Sequence, residues 1–186
     1  EDSVESTLDV QFADISAVNG WGGLGFRPNV GRRARAAPTG IDTWRDRLLK
    51  GEVHDENTFA LGGVAGHAGT FGTAREVGSF ARTVLGLYRG EASFVSSLTF
   101  EHFIKRSQVP GSSRALGWDT MLPTSSCGTM MSATAIGHTG FTGTSLWIDP
   151  SHDIYVVFLT NRVHPTRYND AILSVRPALH DAILSA

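Results

Sequence analysis

Ala135-Ile-Gly-His-Thr-Gly-Phe-Thr-Gly-Thr-Ser-Leu-Trp-Ile-Asp149, followed by Pro150-Ser-His-Asp153 and Ile154-Tyr-Val-Val-Phe-Leu-Thr160, decides the fold. Thr144, Ser145, Leu146, Trp147 and Ile148 are followed by turn chemistry at 149–153, where Pro presets φ and Asp and Ser bond nearby backbone. Residues 154–160 form the most strand-like run in the chain. The spacing predicts antiparallel strands near 134–141, 143–149 and 154–161. The first carries His138, Thr139 and two glycines, which lets another backbone or a ligand approach closely.

Outward from this sheet the pattern turns helical. Thr73-Ala-Arg-Glu76 is a capping box, and Val77, Phe80, Ala81, Val84, Leu85 and Tyr88 follow at helical spacing until Gly90. A second helix is expected over Leu98–Arg106, and a short strand over Leu116–Thr120. Near Thr166 an amphipathic helix should begin, with Tyr168, Ile172, Val175, Leu179, Ile183 and Leu184 as its apolar stripe. Pro177 lies inside that stripe and predicts a kink, or two helices with the second starting around Arg176.

The N-terminal side is less patterned. Asp42–Lys50 reads as a short helix, with Asp42 or Thr43 as N-cap and Gly51 past its end. Val10, Phe12 and Ile15 mark a short strand or helical turn. Asn19–Gly25 is a Gly-rich loop without the Gly-Lys-Ser/Thr of a phosphate-binding loop. Residues 28–40 read as an extended connection. Ala60–Gly72 holds five glycines in thirteen residues, as in a chain pressed close against its neighbours.

Bulk properties narrow the functions. The 186 residues are 41% hydrophobic with a net charge of −2, and the sequence pI is about 6.4. Nothing here asks for nucleic acid or an acidic membrane surface. Arg32, Arg33 and Arg35 read as solvated loop. A lone cysteine, Cys127, cannot form an internal disulfide, and nothing beside it would lower its pKa. No apolar run approaches the ~20 residues of a membrane span, and the acidic N-terminus is no signal peptide. Either a cytoplasmic chain or mature material from a longer precursor fits. His54, Asp55 and Glu56 invite a metal, but consecutive residues rarely converge on one ion, so a hydrogen-bonded loop and no metal is the expectation. No cofactor motif is present.

Two Gly-His segments carry chemistry, Gly66-His67-Ala68-Gly69 and Gly137-His138-Thr139-Gly140. On a strand, the second presents an imidazole, a hydroxyl and free backbone N–H groups toward one cavity. Such a set suits a carboxylate or an oxyanion. A sheet-edge His beside a Gly bulge is the structural alternative.

His138-Thr139-Gly140, followed by a hairpin and a C-terminal helix, resembles the Lys-Thr-Gly motif of the serine β-lactamase and penicillin-binding protein superfamily, some of whose DD-peptidases and esterases carry His in place of that Lys. Gly51–Asn57, Leu61–Gly69, Ala135–Thr144 and Leu159–Pro165 are similar to the class C-like branch, so the resemblance covers residues 36–186, with 1–35 unassigned. It implies an α/β (α+β) fold, an antiparallel sheet flanked by helices and incomplete relative to the full family fold. A helical region over 42–106 would cover the cleft.

The resemblance also implies roles. His138 would hold a substrate carboxylate or help proton transfer, and Thr139 would bind substrate through its hydroxyl, with Gly140 lining the site. The Phe141 N–H would be an oxyanion donor. Arg167 would bind a substrate carboxylate, and His67 would border the cleft. The family is often periplasmic or secreted.

The departure is as informative. Neither Lys50 nor Lys105 has a Ser three positions before it, and no Tyr-x-Asn precedes the third motif. The chain therefore reads as the C-terminal portion of a serine hydrolase acting on β-lactams, D-Ala peptides or esters, inactive alone. Its partners would be a small substrate bearing a carboxylate, and a complementary N-terminal fragment or a second copy of itself across an exposed edge strand. A non-catalytic relative that binds a ligand or partner in the residual cleft is the alternative. A third reading is an unrelated hydrolase using Cys127 or another Ser with His67 or His138.

Overall fold

The computed structural model describes residues 4–186, with side chains from Thr7 onward. Strands β4 (Ile136–Thr139), β5 (Thr144–Asp149) and β6 (Ile154–Leu159) follow each other as antiparallel neighbours. A two-residue β3 (Asp119–Thr120) completes the sheet in the order β3-β4-β5-β6. The register sets Gly137 opposite Trp147 and Trp147 opposite Val156. Side chains alternate between faces along a strand, so the two faces have separate cores.

On one face Ile136 and Ile148 pack with Ala81, Val84 and Leu85 of α4 (Ala74–Tyr88) and Phe100 of α5 (Ser97–Ile104). On the other, Trp147, Val156 and Ala135 pack with Cys127, Met131 and Leu184, the last from α6 (Ile172–Leu184). Both faces are covered, which is why β6 reads as a nearly unbroken apolar run. Asp149 closes the β5–β6 turn. Its buried carboxylate accepts from Ser132 N and Oγ at 2.7 and 2.6 Å, from Ser151 N at 3.1 Å and from His152 Nδ1 at 2.8 Å.

Helix α4 starts as expected. The Thr73 hydroxyl accepts from Glu76 N, and the Glu76 carboxylate accepts from Thr73 N at 2.6 Å. The three sheet strands and α5 also fall where the pattern placed them, while the strand expected at 116–120 is confined to 119–120.

Other expectations are corrected. Asp42–Lys50 is not a helix; β1 (Pro38–Asp42) and β2 (Arg47–Lys50) form an antiparallel hairpin. The cause is local. Asp42 does accept from the backbone N–H three residues on, at Arg45 (2.7 Å), but as a turn closure and not as a helix cap. The Arg45 guanidinium is buried and ties the turn to Glu52 and to the Val53 and His54 carbonyls. So 42–106 is not continuously helical: the hairpin, the short α3 (Glu56–Ala60) and a loop precede α4.

Val10, Phe12 and Ile15 lie in one helix, α1 (Val4–Val18), and the connection at 28–40 contains α2 (Val30–Arg35) as well as the start of β1. Trp21 is buried against α4, its Nε1 donating to Thr83 Oγ1 at 2.9 Å. The last helix starts at Ile172, not near Thr166, and is assigned as one helix with Pro177 inside it. No helix among the described residues is long and apolar enough to cross a membrane.

Candidate functional site

Strand β3 pairs with only Ile136 and Gly137 of β4, so His138 and Thr139 project past its end. Their other edge stays paired to Leu146 and Ser145 of β5. His138 is consequently exposed although it belongs to a central strand. Gly137 is required by packing: a Cβ there would overlap the Trp147 ring and lie 2.5 Å from the Leu146 carbonyl.

The turn after Thr139 is held from three sides. Gly140 N donates to Thr144 O (2.7 Å) and Gly143 N to Gly140 O (3.1 Å), closing the loop on itself. Gly143 has φ +118°, and a Cβ there would sit 2.8 Å from Arg162 N. Arg162 N donates to Thr142 O at 2.9 Å, and Thr160 Oγ1 to Gly143 O at 2.6 Å. From α6, Arg176 Nη2 reaches the Gly140 and Thr144 carbonyls at 3.0 and 2.7 Å. Among the described residues no protein acceptor takes the Phe141 N–H. An amide fixed in this way, with its hydrogen unused, can stabilise developing negative charge without reorganising.

Around the Phe141 ring stand three nitrogenous side chains. Arg162 lies over it at 4.5 Å, Arg167 at 5.4 Å, and the His54 ring is 5.6 Å away. Burial lowers the His54 pKa and the Arg167 cation lowers it further, so this ring favours the neutral form. Arg167 pairs with Glu56 at 3.3 Å. At the strand itself, Arg114 Nη1 donates to His138 Nε2 at 3.2 Å.

Of the residues expected from sequence, the structure brings together His138, Thr139, Gly140, Phe141 and Arg167. His67 is engaged elsewhere: its Nε2 lies 3.1 Å from Asp55 Oδ1 and 3.2 Å from Thr58 Oγ1, at the start of α3. Its link to the turn runs through the backbone from Asp55 to His54. Sequence reasoning gave Arg114 and Arg176 no role and read His54 only within a loop. For Arg176 a signal existed, because Ile172, Arg176 and His180 recur every four residues and all three are buried. For Arg114 no spacing signal exists.

One other group, the Cys127 thiol, is kept from chemistry by its surroundings. Cys127 is fully buried, and burial, with nearby carboxylates adding, pushes its thiol up to about 12. No group of three or more His, Cys, Asp or Glu among the described residues could hold a metal ion.

The site is an open edge. Of the concavities elsewhere among the described residues, one lies between the end of α1 and Phe94, and another runs from Tyr88 and Ile104 to Ile136. Donors suited to a carboxylate, the Phe141 amide with Arg114 and Arg167, stand at the 138–143 edge. Arg106, which lines the second concavity, instead spends its guanidinium on Thr120 Oγ1 and Met121 O, so chemistry favours the edge.

Comparison with known proteins adds kinship. A protein-family model described as Beta-lactamase matches residues 21–178. A protein of Escherichia coli K12, provisionally named D-alanyl-D-alanine carboxypeptidase, is 37% identical over 127 residues, covering 64% of this chain and 29% of its own length. Its counterpart in Salmonella agona, named likewise, is 35% identical over 127 residues with the same coverage. The chain thus spans less than a third of the length of these relatives.

Among solved structures, a beta-lactamase from Mycobacterium bovis matches with a TM-score of 0.51 at 25% identity, covering 63% of this chain and 45% of that one. Simvastatin synthase from Aspergillus terreus matches with a TM-score of 0.60 at 15% identity, covering 94% of this chain and 50% of that one; it bears on the fold alone.

Proposed function

The chain belongs to the beta-lactamase family, and from that premise we propose that it forms the substrate-recognition and oxyanion side of an acyl-transfer cleft. The acyl donors are β-lactams, D-alanyl peptides or simple esters that carry a carboxylate. The observation that carries this reading is the fixed 138–143 turn, with His138 exposed beside it and the Phe141 amide unused.

In this scheme the substrate carbonyl lies against the turn, and the Phe141 N–H bonds the oxygen as it gains charge. The effect is large only when the donor is already in place; the hydrogen bonds of Thr144 O, Arg176 and Arg162 to the turn supply that rigidity. Thr139 and His138 orient the substrate on the strand, and Gly140 allows its backbone to approach. Arg167 stands farther out, over the Phe141 ring, and meets the distal part of the substrate. His67 supports the site indirectly by fixing Asp55 and hence the position of His54.

The 186 residues hold no Ser-x-x-Lys, so the acyl-accepting serine and its general base come from outside them. This chain alone therefore binds but does not turn over. The same absence favours a second reading, a non-catalytic relative that retains its cleft for a ligand or partner. Intact-protein mass spectrometry after exposure to a penicillin, and separately to a fluorophosphonate, tests the proposal. We expect no adduct with either reagent. A single stoichiometric adduct would reveal a nucleophile within these residues and overturn the division of labour.

A further inference from the structure

His138 stands exposed at the open strand edge, and its hydrogen bond fixes how it can act. The guanidinium is a donor only, so Arg114 Nη1, 3.2 Å away, needs a lone pair on His138 Nε2. That bond takes Nε2 as its acceptor and leaves Nδ1 as the ring's donor. A ring whose Nε2 lone pair is taken by a guanidinium is poorly placed to receive a carboxylate at that nitrogen.

Arg114 can supply that charge. The segment before β3 carries it to the place: Arg114 bridges Asp119 across a tight turn, and Arg114 O accepts from Ser107 N at 2.7 Å. Next to it, Ser113 O accepts from Thr120 N at 2.8 Å and from Thr120 Oγ1 at 2.6 Å, and Arg106 Nε donates to that same hydroxyl. The segment is therefore anchored to β3, whose residues pair with Ile136 and Gly137, the two positions before His138. Its side chain is exposed, and it makes no ion pair among the described residues. Among the described residues the arginines that touch the turn have their charge engaged: Arg162 and Arg167 face Asp170 and Glu56, and Arg176 is buried on carbonyls.

From this we infer that Arg114 is a substrate-binding residue: its guanidinium receives the substrate carboxylate, while the His138 ring orients Arg114 and closes the other side of the site. This deepens the proposed function and rests on it. The planar fork of arginine suits a carboxylate, which it can grip with two parallel bonds.

Calorimetric titration of the 186-residue chain with N-acetyl-D-alanyl-D-alanine and with its C-terminal amide reads the assignment. The chain should prefer the acid; Arg114→Gln should lose about tenfold of that preference, as expected for a charge-assisted pair. Arg114→Lys should keep part of it, and His138→Gln should weaken binding of both ligands while the preference for the acid persists. Equal preference in the chain and in Arg114→Gln would overturn the assignment, as would loss in His138→Gln alone. Binding of neither ligand by the unsubstituted chain would instead overturn the proposed function, and this inference with it.

A ligand-free measurement separates the two failures. Ring-nitrogen chemical shifts should report His138 protonated at Nδ1 in the chain, and should change tautomer in Arg114→Gln while the amides of α4 and β5 stay in place. An unchanged tautomer would contradict the hydrogen bond on which the inference is built.

Discussion

Arg176 links the last helix to the candidate site, and replacing it by methionine should loosen both. Methionine keeps most of the length and apolar contact, so the substitution removes chiefly the polar reach of Nη2 to Gly140 O and Thr144 O. Each bond from a charged donor is worth about 1.5–3 kcal/mol. Two effects offset part of this. Arg176 is only 5% exposed with its Nε lacking a partner, so the native chain already carries a buried, imperfectly satisfied cation. Both carbonyls also retain a second donor, Gly143 N for Gly140 O and Gly140 N for Thr144 O, so neither is left bare.

The net expectation is a loss of about 2 kcal/mol, or a fall of about 4–8 °C in Tm for a chain of this size. Urea unfolding with unchanged m-value measures the first number. Hydrogen exchange locates it: the Gly140 and Gly143 amides should exchange about 30-fold faster, while α4 amides slow or speed only with global stability. A variant within about 0.5 kcal/mol of the native chain, with exchange of the turn unaltered, would refute the claim that α6 holds the site through this residue.

Other residues give independent tests. Thr73→Ala removes the hydroxyl of the capping box and should cost about 1 kcal/mol by urea unfolding. Gly137→Ala drives a methyl into the Trp147 ring and the Leu146 carbonyl; a loss of about 1–3 kcal/mol or more is expected, with altered near-UV circular dichroism from the displaced indole. Burial raises the Asp149 pKa, but its bonds from Ser132 and its contact with His152 outweigh this and hold it below the usual value. A folded pKa below the unfolded one means stability that is present above about pH 4 and lost as pH falls through the folded value. Asp149→Asn should therefore be less stable than the native chain at pH 7, with the gap closing in stability measurements carried below pH 4. Cys127, raised to about 12 and fully buried, should resist iodoacetamide at pH 8 in the folded chain and react once urea unfolds it.

The sheet and α4 were legible because their signals are local. A capping box spans four residues, and alternation or a buried apolar run declares a strand within six. The 42–50 segment was misread for an equally local reason: an Asp accepting from the amide three residues on begins a helix or closes a turn with the same sequence pattern. What selects the turn is Arg45, held by Glu52, Val53 O and His54 O, and sequence spacing does not reveal that choice. Helix α1 was underestimated because its apolar residues form only a weak stripe.

At the site, the turn residues 138–141 are contiguous and announce themselves, whereas their supports come from 24 to 36 positions away, Arg114 to His138 and Arg176 to Gly140. His54 reaches Phe141 over a longer separation still. Contacts at such range depend on chain topology, which no motif encodes. The charge of Arg176 on the buried face of α6 was the one readable clue.

In the proposed function a carboxylate-bearing acyl donor binds at the 138–143 edge beside Arg114. Titrating the 15N-labelled chain with N-acetyl-D-alanyl-D-alanine, and following backbone amides, tests it most directly. Saturable shifts are expected, centred on His138, Thr139, Gly140 and Phe141, the Phe141 amide among the largest, with Arg114 moving in step. Saturable shifts centred instead on the concavity between α1 and Phe94, or no shifts at millimolar ligand in a folded chain, would contradict it.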